Sequence, residues 1–61
     1  MNLPQDPFIL LSYINTKLRD LYPSLDALCD DLDYSKEIIL STLKSIDYSY
    51  NDHSNQFLPV L

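Results

Sequence analysis

The stretch Ser24-Leu25-Asp26-Ala27-Leu28-Cys29-Asp30-Asp31-Leu32-Asp33-Tyr34-Ser35-Lys36-Glu37-Ile38-Ile39, followed by Leu43 and Ile46, decides the fold. Leu25, Leu28, Cys29 and Leu32 recur at the spacing of one helical face, while Asp26, Asp30 and Asp31 fall outside it. With Ser24 as N-cap, this predicts a helix over 24–32. Asp30 and Asp31 stand near its C-terminal end, where the macrodipole opposes them, so solubility or a partner must account for them. Asp33-Tyr34 then makes a tight connection, and Ser35 caps a third helix over 35–46 with Glu37 in its first turn and Lys44 near its last. Ile38, Ile39, Thr42, Leu43 and Ile46 form the expected inner stripe. Leu40, about 100° from its centre, is expected at the flank or exposed.

Working outward toward the N-terminus, Pro23 forces the preceding residue out of helical geometry and ends a first helix over 7–21. Asp6 and Pro7 supply its cap and its first position. Spacing of about 100° per residue puts Leu10, Leu11, Ile14, Leu18, Leu21 and Tyr22 on its core side. Ile9 and Tyr13 fall opposite, beside Thr16, Lys17 and Asp20, and require another surface to cover them. Asn15, near the core edge, is expected to hydrogen-bond a loop backbone, and Lys17 and Arg19 to snorkel or to pair with the acidic second helix.

Beyond Ile46 the period changes, since Tyr48 and Tyr50 alternate with Asp47 and Ser49 as in a short strand. Residues 51–55 read as a turn, Gln56-Phe57-Leu58 as a return beside the strand, and Pro59 as the end of pairing. The tail is thus a short hairpin or an extended arm. A hairpin is not stable alone, so Tyr48, Tyr50 and Phe57 are expected to lie over Ile9 and Tyr13, from the same chain or from a second copy. Any turn needing positive φ must use Asn or Asp, because the chain contains no glycine.

The 61 residues allow a single small helical domain, 1–61. Nine acidic against four basic residues give a net charge of −5, which makes nucleic acid an unfavoured partner. The lone cysteine, Cys29, reads as a buried apolar residue in a reducing compartment, so the expected location is cytoplasmic. No run approaches the roughly 20 apolar residues of a membrane span. His53, the one histidine, lies in a polar turn beside Asp52, short of the three or four ligands a metal needs. The aspartates are scattered singly, so no catalytic residue, cofactor or metal is expected, and the chain is expected not to be an enzyme.

Two resemblances follow from these residues. Leu28, Leu32, Tyr34, Ile39, Leu43 and Ile46 resemble the inner positions of the helix-turn-helix of winged-helix proteins. In that family the second of these helices reads bases, but here its outward set is Lys36, Glu37, Leu40, Ser41 and Lys44, a poor reader of DNA. The second covers nearly the whole chain. Asn2-Leu3-Pro4-Gln5-Asp6-Pro7-Phe8, the run Leu10 to Asp20 with Asn15-Thr16-Lys17-Leu18-Arg19-Asp20, Ser24-Leu25-Asp26 with Leu28-Cys29, Tyr48-Ser49-Tyr50-Asn51 and Asn55-Gln56-Phe57 resemble a family of tiny bacterial proteins known only as a domain of unknown function. That resemblance implies a stand-alone bacterial cytosolic protein and brings no activity or site. Where its members often have glycine, this chain has Asp47, which is expected to strain the end of the third helix.

The expected class is mainly α: a three-helix, helix-turn-helix-like domain with a short C-terminal β-hairpin or extended arm. The expected function is a protein-interaction or structural module without catalysis, self-associating as a homodimer or binding another protein. Its candidate interaction surface is Ile9, Tyr13 and Leu40. The alternative is a helix-turn-helix nucleic-acid-binding regulator.

Overall fold

The computed structural model describes residues 3–60, so Asn2, which opens the family-like pattern, lies outside the described residues. Three helices, α1 (Pro7–Asp20), α2 (Leu25–Leu32) and α3 (Lys36–Lys44), precede a hairpin of β1 (Tyr48–Asn51) and β2 (Gln56–Pro59). Each helix starts at the cap its sequence announces. The Asp6 carboxylate accepts from the N–H groups of Phe8 at 2.8 Å and Ile9 at 3.2 Å. Ser24 accepts from Ala27 at 3.1 Å, and Ser35 from Ile38 at 3.3 Å. Such caps satisfy donors that the helix itself leaves free, at about 1 kcal/mol each.

With no glycine in the chain, the left-handed conformations fall to Asp33 (φ 58°), Asp47 (φ 61°) and Asn55 (φ 55°). Asp33 ends α2, Asp47 links α3 to β1, and Asn55 opens β2. All three are of the residue types that best tolerate this region after glycine.

The core joins Leu10, Ile14 and Leu18 of α1, Leu25, Leu28 and Cys29 of α2, Ile39 and Leu43 of α3, and Phe57 of β2. Leu11, Tyr22, Leu32, Leu40 and Ile46 pack partly buried around it. Three expectations are corrected. Leu21 is 66% exposed because α1 ends at Asp20 and Leu21, at φ −126°, has left the helical path from which its position was projected. α3 stops at Lys44 instead of reaching Ile46, since Ile46 and Asp47 turn back to bond Leu43 and Lys44 at 3.2 and 2.9 Å. Ile38 is 57% exposed instead of joining the inner stripe, while Leu40 is partly buried at the flank, as expected. The cause is tertiary: β1 lies along α3, and it reaches the Leu40 flank.

The tail is a hairpin and not a loose arm. Its antiparallel register sets Tyr48 opposite Pro59, Ser49 opposite Leu58, Tyr50 opposite Phe57 and Asn51 opposite Gln56. The Tyr50 and Phe57 rings, on the core-facing side, meet with centroids 5.5 Å apart. β1 packs on α3 and β2 on α1, so the hairpin closes the helical layer from one side.

Candidate interaction surface

The two outer edges of the hairpin are treated differently. In an antiparallel pair, directly opposed residues alternate between hydrogen-bonded and non-hydrogen-bonded. Val60 donates to the Asp47 carbonyl at 2.7 Å, so by alternation Ser49 with Leu58 and Asn51 with Gln56 are the bonded pairs. The backbone groups of Tyr48, Tyr50, Phe57 and Pro59 therefore point away from the hairpin.

On the β2 edge the groups of Phe57 are closed off. The Phe57 N–H donates to Asn15 Oδ1 at 2.7 Å, and Asn15 Nδ2 donates to the Phe57 carbonyl at 3.1 Å. Gln56 Nε2 donates to the Asn15 carbonyl at 3.0 Å. Asn55 Nδ2 donates to the carbonyls of Leu18 at 3.0 Å and Tyr22 at 2.9 Å, covering acceptors that the end of α1 leaves free. Its own Oδ1 accepts from the Tyr50 hydroxyl at 2.6 Å, which in turn accepts from the Leu25 N–H at 3.2 Å. Asn55, Gln56 and Phe57 thus fasten the end of α1 and, through Tyr50, the start of α2. The last outward residue, Pro59, has no N–H to offer.

On the β1 edge no such closure exists. Among the described residues, the outward backbone groups of Tyr48 and Tyr50 have no hydrogen-bond partner outside the hairpin. A groove lined by Leu40, Lys44, Asp47, Tyr48, Ser49 and Val60 lies where α3 meets the hairpin, with Val60 55% exposed.

The candidate residues Ile9, Tyr13 and Leu40 occupy two separate places. Leu40 is in the groove just described, whose lining contains no residue of α1. Ile9 is 60% exposed. Tyr13 is half-buried, with its hydroxyl 2.9 Å from that of Tyr34 and Lys17 Nζ 4.8 Å from its ring centre. The tail does lie on α1, but along Asn15 and Leu18 instead of over Ile9 and Tyr13. Phe57 lies where it is buried and its backbone is satisfied, and the Asn15 flank supplies both. The expected backbone bond of Asn15 is present. What escaped the sequence reading is its double-ended form and the part played by Asn55 and Gln56, whose one signal was three amide side chains flanking apolar residues.

Two ion pairs join charged side chains among the described residues. Arg19 pairs with its neighbour Asp20 at 2.9 Å, and the cation that meets α2 is Lys36, 2.7 Å from Asp26, in place of Lys17 or Arg19. The bond to Asp26 raises the Lys36 pKa, and the bond to Arg19 lowers that of Asp20. The Tyr22 hydroxyl donates to Asp31 at 2.5 Å, which pushes its pKa up, and the bond with Tyr13 does the same for Tyr34. Burial raises the Cys29 thiol, the opposite of nucleophile activation. Among the described residues no three His, Cys, Asp or Glu side chains converge to hold a metal ion, and no helix is long and apolar enough to cross a membrane.

Fold and surface together define a small three-helix domain closed by a clamped hairpin with one open edge. The chain belongs to the family described as Domain of unknown function (DUF4250), whose model matches residues 4–57. No curated protein and no solved structure matches it.

Proposed function

We propose that this chain is a non-catalytic protein-interaction module that associates with itself. The observation that carries this reading is the open β1 edge, whose Tyr48 also lines a groove with Leu40 and Val60. Small domains bury little of their surface, and a paired edge both adds burial and satisfies backbone groups. The absence of catalysis accords with His53 standing exposed in the hairpin turn, and a cytoplasmic setting accords with the buried free thiol of Cys29. Sedimentation equilibrium over a wide concentration range tests self-association. A rising mean mass supports it, and a constant monomer mass overturns it.

The second reading, a helix-turn-helix nucleic-acid-binding regulator, draws on the order of α2, α3 and the hairpin. It is weaker because Lys36 is engaged by Asp26, and Lys44 is the one other cation on α3. Salt-sensitive, sub-micromolar binding of duplex DNA would promote it.

A further inference from the structure

We infer that two copies join through their β1 edges in an antiparallel pair, with Tyr48 opposite Tyr50 of the second copy and Ser49 opposite Ser49, making one four-stranded sheet. This rests on the self-association reading and specifies how it happens. Only Tyr48 and Tyr50 aim backbone groups outward from β1, so the register must pair outward residues with outward residues. Setting Tyr48 against Tyr48 carries the other outward residue, Tyr50, to the level of Ile46, which lies outside the strand. Setting Tyr50 against Tyr50 carries Tyr48 to the level of Asp52 in the turn. Only Tyr48 against Tyr50 gives every outward N–H and C=O of both strands a partner.

Side chains agree with that register. Tyr48 and Tyr50 meet each other across the new boundary on the core-facing side, and aromatic cross-strand pairs are favourable. Asp47 comes opposite Asn51 and Ser49 opposite Ser49, so no two acidic groups are directly opposed. That matters for a chain of net charge −5, in which Tyr48–Asn51 is free of charge. Natural edges are guarded by charge, proline, bulges or cover. β2 has both the Asn15 clasp and Pro59, while β1, itself only four residues long, carries no charge, proline or clasp, and a second β1 is its self-complementary cover.

The test uses the full chain with Ser49→Cys under mild oxidation. In the inferred register the two residues form a non-hydrogen-bonded pair with Cα atoms about 4.5 Å apart, inside disulfide range. The expected result is a covalent dimer linked through residue 49, while Ser45→Cys, also exposed in the turn after α3, stays monomeric. Cys29 is only 7% exposed and does not compete. A second measurement uses a chemically synthesised chain N-methylated at Tyr48, which removes an outward donor without touching the hairpin ladder. Dimerisation is expected to weaken by about tenfold or more, since the symmetric pair loses a bond from each copy, with an unchanged circular dichroism spectrum. A wild-type dimer that neither cross-links through residue 49 nor responds to N-methylation overturns the edge pairing and leaves self-association standing. A monomer at every concentration, with no cross-link, overturns both.

Discussion

The side-chain amide of Asn15 holds both backbone groups of Phe57, accepting from its N–H at 2.7 Å and donating to its carbonyl at 3.1 Å. One amide on α1 thereby does for β2 what a third strand would do. It satisfies the outward groups of a partly buried edge and fixes how the hairpin sits on the helices.

Asn15→Ala leaves that N–H and carbonyl without their partners. It is expected to lower stability by about 1–3 kcal/mol, whereas the exposed neighbour change Thr16→Ala stays within about 0.5 kcal/mol. Urea denaturation of both variants checks this. Equal midpoints would mean that the amide contributes nothing net.

Leu43 is fully buried and Ile38 largely exposed on the same helix. Leu43→Ala should cost roughly 2–5 kcal/mol, enough to leave a domain of this size largely unfolded. Ile38→Ala should cost less than about 1 kcal/mol. Thermal melts of the pair decide the phase of α3, and the reverse ranking would place Ile38 in the core.

Asp47 stands at φ 61° where glycine would sit without strain. Asp47→Gly is expected to match or exceed the parent chain in melting temperature. Asp47→Val, a β-branched residue in the left-handed region, should lose about 1–2 kcal/mol. If valine is tolerated as well as glycine, the turn after α3 is not left-handed.

The Tyr22 hydroxyl bond to Asp31 and the Tyr34 bond with Tyr13 raise both phenols above their ordinary value of 10.0. A raised folded pKa means that the protonated form is favoured in the native state. The associated stability is therefore complete below about pH 10 and is lost as pH climbs through the folded values. Ultraviolet titration should show tyrosines ionising later in the folded chain than in urea. Tyr22→Phe with Tyr34→Phe should flatten the alkaline fall in stability, and an unchanged slope would remove these bonds from the account.

Duplex DNA should not bind measurably at physiological salt. The chain has four basic residues, of which Arg19 and Lys36 are already paired with carboxylates, so few counterions would be released. Fluorescence anisotropy with labelled duplex checks this.

What the sequence determined by itself is local. The caps Asp6, Ser24 and Ser35, the phase of the buried Leu10, Ile14, Leu28 and Leu43, the change of period at Tyr48, and the restriction of positive φ to aspartate or asparagine all follow from interactions within a few residues of chain. Tertiary structure decided the rest. Whether Ile38 or Leu40 is covered depends on where β1 lies, and β1 lies where it does because β2 is clasped to α1. The bonds from Asn15 to Phe57 and from Asn55 to Leu18 join residues about forty positions apart. Helical periodicity gives the direction of a side chain from its own axis and carries no information about the other surface it meets. The open edge of β1 belongs to the same class of fact, because a strand's free side is defined only when every other element has taken its place.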